Sequence, residues 1–111
     1  MEEKIILQGI CNRCKGALVE NGHGMLTNQR FIYSKHSLAK IAAMGILVNL
    51  TQGSFDFDIQ LSDISSVQEK KRMLSKVLLI TTTSGEEYTL YFTKLMEWKI
   101  AFANQLPGKV N

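Results

Sequence analysis

Strict alternation of apolar and polar residues over Phe55–Ser62 is the feature that most constrains the fold. The segment reads FDFDIQLS, with a large apolar side chain at every second position. A period of two places the apolar side chains on one face of a β-strand and the polar side chains on the other. Such a strand must lay its apolar face on a core, while its polar face can remain in water. The chain is therefore expected to contain a sheet with one buried face.

Turn residues divide the preceding part of the chain into short extended segments. An apolar run from Lys4 to Val19 predicts a first strand with a bulge or bend at Gly9 or Gly16. Asn-Gly followed by a second Gly supplies residues that tolerate positive φ, so the 21–24 segment predicts a tight hairpin. The next two predicted strands are Gly24–Thr27 and Arg30–Lys35, with a short turn at Asn28-Gln29.

A second group of strands is expected after Phe55–Ser62. These segments are rich in Val, Ile, Thr, Tyr and Phe, the residues that favour extended structure. The predicted strands are Ser65–Lys71, Lys76–Thr83 and Glu86–Phe92. Ser84-Gly85 between the last two is a hairpin turn.

The period changes at the end of the chain. Apolar residues at i, i+3, i+7 and i+11 form one stripe of an amphipathic helix: Leu95, Trp98, Phe102 and Leu106. Thr93 is the expected N-cap, and Pro107-Gly108 the expected stop. Six or seven antiparallel strands followed by one such helix predict a mainly β, partly open barrel that the helix covers at its end or seam.

An unusual apolar segment separates the two groups of strands. Ser37–Gly53 is apolar nearly all round when wound as a helix, so a short extra helix is expected over about residues 38–50. Its large side chains would be costly to leave in water. Packing on the domain's own sheet, a homo-oligomer contact and a shallow membrane contact are the three interpretations. The residues concerned are Leu38, Ile41, Ile46, Leu47 and Leu50.

Several of these segments, in this order, resemble the GRAM branch of the pleckstrin-homology-like superfamily, in particular its small bacterial members. The matching residues are Gly9-x-x-Asn12, Gly24–Tyr33, Ile59–Val67 with its Ser-Asp-Ile bend, Leu78–Tyr88 and Glu97-Trp98. The resemblance implies a single domain over residues 1–111, built as a seven-stranded barrel of two roughly orthogonal sheets closed by the C-terminal helix. It also implies a lipid- or protein-binding adaptor rather than an enzyme. The loop from Gly16 to Gly24 lacks the basic cluster that phosphoinositide-binding members use.

Composition limits the partners and the compartment. The chain has 111 residues and a formal net charge of +3, which is mild for a nucleic-acid binder. Its first residues are acidic and lack the order of a secretory signal, and no apolar run is long enough to span a bilayer. We therefore expect a cytoplasmic protein with reduced cysteines, either free of membranes or peripheral to them.

Cys11 and Cys14 form a C-x-x-C pair. A redox pair would need a strand-to-helix turn with one thiol at a helix N-terminus. Here the pair falls within a predicted strand, where a three-residue spacing sends the thiols to opposite faces. A zinc site would need two more ligands, and His23 and His36 do not form a second close pair. We interpret both as structural thiols and expect no metal.

Asp56 and Asp58 share the polar face of the central strand. Paired carboxylates can act in acid–base chemistry or hold a hard cation. On an alternating strand they are more simply a solvated face, with Lys70, Lys71 and Arg72 of the following strand as cross-strand partners. No nucleophile elbow, phosphate loop or dinucleotide fingerprint occurs, so no catalytic residue, cofactor or small-molecule substrate is predicted.

The densest basic run surrounds two apolar residues in a predicted turn. Charges there would attract an anionic membrane, and the apolar pair would insert shallowly. The residues are Lys70, Lys71, Arg72, Met73, Leu74 and Lys76.

Three functions follow from the sequence. The first is a non-catalytic adaptor acting through protein binding or self-association, and the second is a peripheral module for anionic lipid. The third is a small metal or thiol protein built on Cys11, Cys14 and His23.

Overall fold

A computed structural model describes residues 3–36 and 55–111. Within them lie eight β-strands, one α-helix and a single 3-10 turn at Leu61–Asp63. The strands are β1 Ile5–Lys15, β2 Leu18–Glu20, β3 His23–Thr27, β4 Arg30–Ser34, β5 Phe57–Gln60, β6 Ile64–Arg72, β7 Ser75–Thr82 and β8 Glu87–Phe92. The helix, α1, is Leu95–Gln105.

The strands form one antiparallel sheet in the order β5-β4-β3-β1-β8-β7-β6, and β2 pairs with β1. The long strand β1 joins the two halves, because Ile5–Ile10 pairs with β3 while Cys11–Cys14 pairs with β8. β5 and β6 are the two ends of this order, yet only Leu61–Asp63 separates them along the chain. The sheet must therefore curl until its ends lie near each other. Since no pairing joins β5 to β6 in the described part of the chain, the barrel is open there.

Helix α1 packs its apolar stripe into the concave side of the sheet. Trp98 and Phe102 are buried, and their rings contact those of Phe31 and Phe92. The closest pair is Phe92 and Trp98, with ring centroids 4.6 Å apart. Aromatic rings that bury this much surface dominate the energetics of a small core. The stripe predicted from the sequence is thus the stripe that fills the barrel.

The chain after α1 returns to the sheet. Leu106 is buried, and Gly108 has a φ of 80°, a conformation that glycine adopts without strain. The N–H of Val67 then donates to the Lys109 carbonyl at 2.8 Å, and the Asn111 N–H donates to the Val67 carbonyl at 2.9 Å. This parallel bridge satisfies part of the free edge of β6.

β3 and β4 are buried on both faces. Leu26 and Phe31 belong to the core cluster, whereas their neighbours Met25 and Ile32 point to the opposite face. Met25 and Ile32 are nevertheless fully buried. The expectation of one wet face does not hold for this part of the sheet.

Several predicted elements are confirmed. The β3–β4 and β7–β8 hairpins lie where the sequence placed them, and Gly85 takes a positive φ in the second turn. The C-terminal helix ends ahead of Pro107-Gly108 as expected. The helix predicted at about residues 38–50 lies outside the described residues.

Other details were wrong. The tight hairpin lies not at 21–24 but between β1 and β2, where Gly16 has a φ of 59°. The central strand is only Phe57–Gln60, because the chain turns into the 3-10 segment at Leu61. Thr93 does not cap α1: the N-cap is Lys94, which makes no side-chain capping bond.

Gly22 is required for a close approach rather than for a turn. A Cβ at this position would lie 2.4 Å from the Tyr33 hydroxyl, and Tyr33 is fully buried. Gly22→Ala should therefore lower the free energy of unfolding by about 1–3 kcal/mol through overpacking. Urea denaturation measures the change.

Gly9→Ala is the matched control for this substitution. A Cβ there would meet Trp98 at 3.7 Å, an ordinary contact distance. It should change stability by less than about 1 kcal/mol. Equal losses in the two variants would contradict the assigned role of Gly22.

Candidate functional site

The β6–β7 turn projects two large apolar side chains into solvent. Met73 is 87% exposed and Leu74 is 99% exposed. Met73 also has a φ of 54°, in the left-handed region that non-glycine residues rarely enter. A turn that exposes this much apolar surface is more typical of a contact site than of an ordinary hairpin.

The β1–β2 turn adds a second apolar pair. Leu18 is 74% exposed and Val19 is 54% exposed. A hydrogen bond from the Arg72 guanidinium to the Gly16 carbonyl joins this turn to the β6–β7 turn. Leu18, Val19, Met73 and Leu74, together called the tip surface below, therefore occupy two neighbouring hairpin ends.

A cavity of about 250 Å³ lies where the two turns meet. Its lining combines apolar and aromatic side chains with one guanidinium: Cys14, Val19, Arg72, Met73, Ser75, Val77 and Tyr91. The cavity is continuous with the tip surface, because Val19 and Met73 belong to both.

Cations border the tip surface. Lys71 lies opposite Lys76 and Lys70 lies opposite Val77 in the β6–β7 ladder. Strand alternation therefore places Lys70 and Lys71 on different faces of the hairpin. Neither has an ion pair with the described residues, whereas Lys76 lies 3.5 Å from Glu69.

Glu69 is the carboxylate nearest to these cations. The hydrogen bond from Lys99, at 3.2 Å, lowers the pKa of the Glu69 carboxyl, and the charge of Lys76 lowers it further. Glu69 thus stays ionised at neutral pH and neutralises part of the charge of Lys76 and Lys99. Lys70, Lys71 and Arg72, none of which forms an ion pair with residues 3–36 or 55–111, carry the remaining positive charge near the turn.

The structure brings the predicted basic run together as one hairpin end. The run comprises Lys70, Lys71, Arg72, Met73, Leu74 and Lys76. Leu18 and Val19 were not predicted as exposed residues, because the apolar run from Lys4 to Val19 predicts a single long first strand. Gly16, named there as a bend, was the signal for a turn that would have exposed them.

A larger groove of about 630 Å³ runs from the tip towards the start of α1. Leu74 lies on its border with the tip surface, and Met96 lies on its helical side. Lys76 and Lys94 contribute positive charge, while Glu69 and Glu97 contribute negative charge. This mixture of charges favours no single ligand.

The two cysteines lie on opposite faces of β1, as predicted. Cys11 is fully buried in the core, and Cys14 lines the cavity on the outer face. Burial raises the pKa of the Cys11 thiol, and the neighbouring Cys14 raises it further. Both thiols are free, and no three potential metal ligands come together within residues 3–36 and 55–111.

The acidic face of the central strand is not simply solvated surface. Asp58 accepts a hydrogen bond from Arg30 at 2.8 Å, and the same guanidinium binds Glu3 at 2.8 Å. Asp56 accepts the backbone N–H of Lys35 at 2.6 Å. The expected pairing with Lys70, Lys71 and Arg72 is wrong, because β5 pairs with β4, whereas this part of β6 pairs with β7.

The predicted packing or oligomer residues lie outside the described residues: Leu38, Ile41, Ile46, Leu47 and Leu50. In the part of the chain that is described, no helix is long and apolar enough to cross a membrane.

Comparison with known proteins shows similarity at the level of fold. No protein-family model matches the sequence, and no curated protein does. Among solved structures, the C-terminal domain of an unknown protein from Leishmania infantum has a TM-score of 0.69 at 15% identity. The match covers 94% of this chain and 84% of that one.

Two guanine-nucleotide exchange factor structures are also similar. The linker-DH/PH unit of p115-RhoGEF has a TM-score of 0.62 at 10% identity, over 94% of this chain and 29% of that one. The DH/PH domains of PDZ-RhoGEF, in complex with activated RhoA, have a TM-score of 0.64 at 12% identity over the same shares. The chain thus spans less than a third of these two proteins. Its fold is pleckstrin-homology-like.

The different burial of the two cysteines should appear in their reactivity. With a chromogenic disulfide reagent at pH 8, Cys14 should react in the native state, whereas Cys11 should react only on unfolding. Cys14→Ser should remove the fast phase, and Cys11→Ser should remove the slow one. Two fast thiols in the native protein would contradict the position of Cys11 in the core.

Proposed function

We propose that the chain is a non-catalytic binding module that docks peripherally on anionic membrane surfaces through the tip surface. We further assign it to the GRAM branch as a single-domain bacterial protein of the cytoplasm, on the motifs given above. The pleckstrin-homology-like fold is generally a binding fold, which supports a module without catalysis. One observation carries the membrane proposal: large apolar side chains protrude from two joined turns beside Lys70 and Lys71, which form no ion pair within the described residues.

The energetics suit reversible binding. Fully burying a Leu, Val or Met side chain stabilises by about 1.5–3 kcal/mol, and shallow insertion supplies part of this. Each cation near an anionic surface adds about 1 kcal/mol. Four partly inserted side chains and the charges of Lys70, Lys71 and Arg72 would thus give about 5–8 kcal/mol, which corresponds to dissociation constants from about 0.2 mM to about 1 μM.

Binding to a protein partner or to a second copy is the alternative function. It is favoured by Met96 and Ile100, which are exposed one turn apart on the outer side of α1. The apolar residues within 38–50, for which a homo-oligomer contact is one interpretation, also support self-association. Light scattering should give a mass above that of the monomer if self-association occurs, and a monomer across the micromolar range would remove it.

The membrane proposal is tested by vesicle flotation with Met73→Ser/Leu74→Ser. Because both side chains are exposed, the double variant should fold as the wild type does. Its partition onto phosphatidylglycerol-containing vesicles at low salt should fall about 10- to 100-fold. Wild-type binding should also be weaker on neutral vesicles, because they offer no anionic headgroups to the lysines. High salt should weaken it as well, because salt screens the attraction between the lysines and the headgroups.

Ile100→Ser is the matched control, since Ile100 is an exposed apolar residue on α1 and not part of the tip surface. It should leave flotation unchanged. A wild-type protein that ignores anionic vesicles at low salt would refute membrane docking.

A further inference from the structure

Three aromatic rings stack at the edge of the core. The ring centroids of Tyr33 and Phe57 are 5.2 Å apart, and those of Phe57 and Tyr88 are 4.6 Å apart. Both pairs are close to parallel. Tyr33 is fully buried, while Phe57 and Tyr88 are half-buried. The stack therefore leads from the core towards solvent.

The guanidinium of Arg13 lies over the outer part of this stack. Its central carbon is 4.9 Å from the Phe57 centroid and 5.4 Å from the Tyr88 centroid. Cation–π contacts at these distances hold the side chain in place. A guanidinium positioned in this way loses little conformational freedom when it binds a ligand.

The charge of Arg13 has no partner in the described chain. Glu20 lies directly opposite Arg13 in the β1–β2 ladder, but the two side chains form no ion pair. The Glu20 carboxylate instead accepts the Tyr33 hydroxyl at 3.0 Å and Lys15 at 3.4 Å, and lies 4.0 Å from Lys35. No ion pair or side-chain hydrogen bond joins the Arg13 guanidinium to residues 3–36 or 55–111. Outside these two ranges the sequence contains one acidic side chain, Glu2.

The surroundings select the kind of anion. Burial alone would raise the pKa of Glu20, but the Tyr33 hydrogen bond and the charges of Lys15 and Lys35 lower it. Glu20 is therefore ionised at neutral pH and neutralises one of its two lysines. Arg13 therefore keeps its own charge free for a ligand. Its planar guanidinium fork matches the two oxygens of a single carboxylate, which can accept two parallel hydrogen bonds from it.

We propose that Arg13 anchors a binding site for a glutamate or aspartate side chain of a protein partner. The carboxylate would bind the guanidinium, and the half-buried rings of Phe57 and Tyr88 would contact the apolar part of that side chain. An Arg held on aromatic rings is chemistry typical of interface hot spots. The site is distinct from the tip surface, because Arg13 packs on Phe57 and Tyr88, and none of these three residues lines the cavity at the tip. The two proposals can therefore fail independently.

NMR of the Arg13 side chain tests the site directly. The probe is N-acetyl-glutamic acid amide, titrated into ¹⁵N-labelled protein at constant ionic strength. The matched control probe is N-acetyl-glutamine amide, which has the same shape without the charge. A lone charge-assisted pair gives a dissociation constant on the order of 10 mM, so the titration should extend to about 100 mM.

The Arg13 Nε–Hε signal should shift saturably with the glutamate probe and not with the glutamine probe. Arg13→Lys, which keeps the charge but loses the fork, should weaken binding about tenfold when the titration is followed on the backbone amide signals of the neighbouring residues. Lys4→Gln should leave it unchanged, because Lys4 is an exposed cation just before the start of β1 and lies far along the strand from Arg13. Chemical shifts of the rest of each variant report whether it is folded.

Three results would overturn the proposal. The first is no saturable shift by about 100 mM of the glutamate probe, well above the constant expected for such a pair. The second is tighter binding of inorganic phosphate than of the glutamate probe at Arg13. The third is a loss of vesicle flotation by Arg13→Lys equal to that of Met73→Ser/Leu74→Ser, which would make Arg13 part of a membrane surface.

Discussion

The fold depends on the insertion of Trp98 into a barrel that the strands within residues 3–36 and 55–111 do not close. Because β5 and β6 do not pair, hydrogen bonds alone leave the curled sheet open. The Trp98 ring fills the concave side instead, against Phe31, Phe92 and Gly24. A Cβ at Gly24 would lie only 3.3 Å from the indole, so the helix approaches the sheet as closely as its backbone permits. Closure is thus achieved by side-chain packing.

The same arrangement explains why the apolar surface can gather at the hairpin ends. The core takes its apolar area from the strand interiors and from α1, and the apolar side chains of these two turns are not part of it. Arg72 fixes the β6–β7 turn to the β1–β2 turn through one carbonyl oxygen. Four apolar side chains are thereby presented together, although 56 residues separate Gly16 from Arg72 in sequence.

Local patterns predicted the elements whose partners are near in sequence. The β7–β8 hairpin and the α1 stripe are examples, because turn chemistry and period are both visible within a dozen residues. The interactions of Asp58 and Arg72 were not predictable in this way. Asp58 pairs with Arg30 across β4 and β5, and Arg72 reaches the end of β1. Such contacts depend on strand order, which a single sequence leaves open.

The same reasoning applies to the candidate sites. The basic run and its apolar pair could be predicted from the local composition of the sequence. The structure shows that they lie together at one hairpin end. No binding site was predicted at Arg13, because a lone arginine in a strand belongs to no motif. Its position over Phe57 and Tyr88 requires β1, β5 and β8 to be assembled first.

The left-handed backbone conformation of Met73 sets the stability of the turn against its capacity to bind. A non-glycine residue in this conformation costs about 1 kcal/mol, and glycine would remove that cost. Glycine, however, has no side chain to present at the turn. A screen of variants for thermal stability alone would therefore select glycine at position 73. The selected variant would lack the Met73 side chain, which is exposed at the turn and available to a binding surface. Stability and binding should be scored together whenever this turn is engineered.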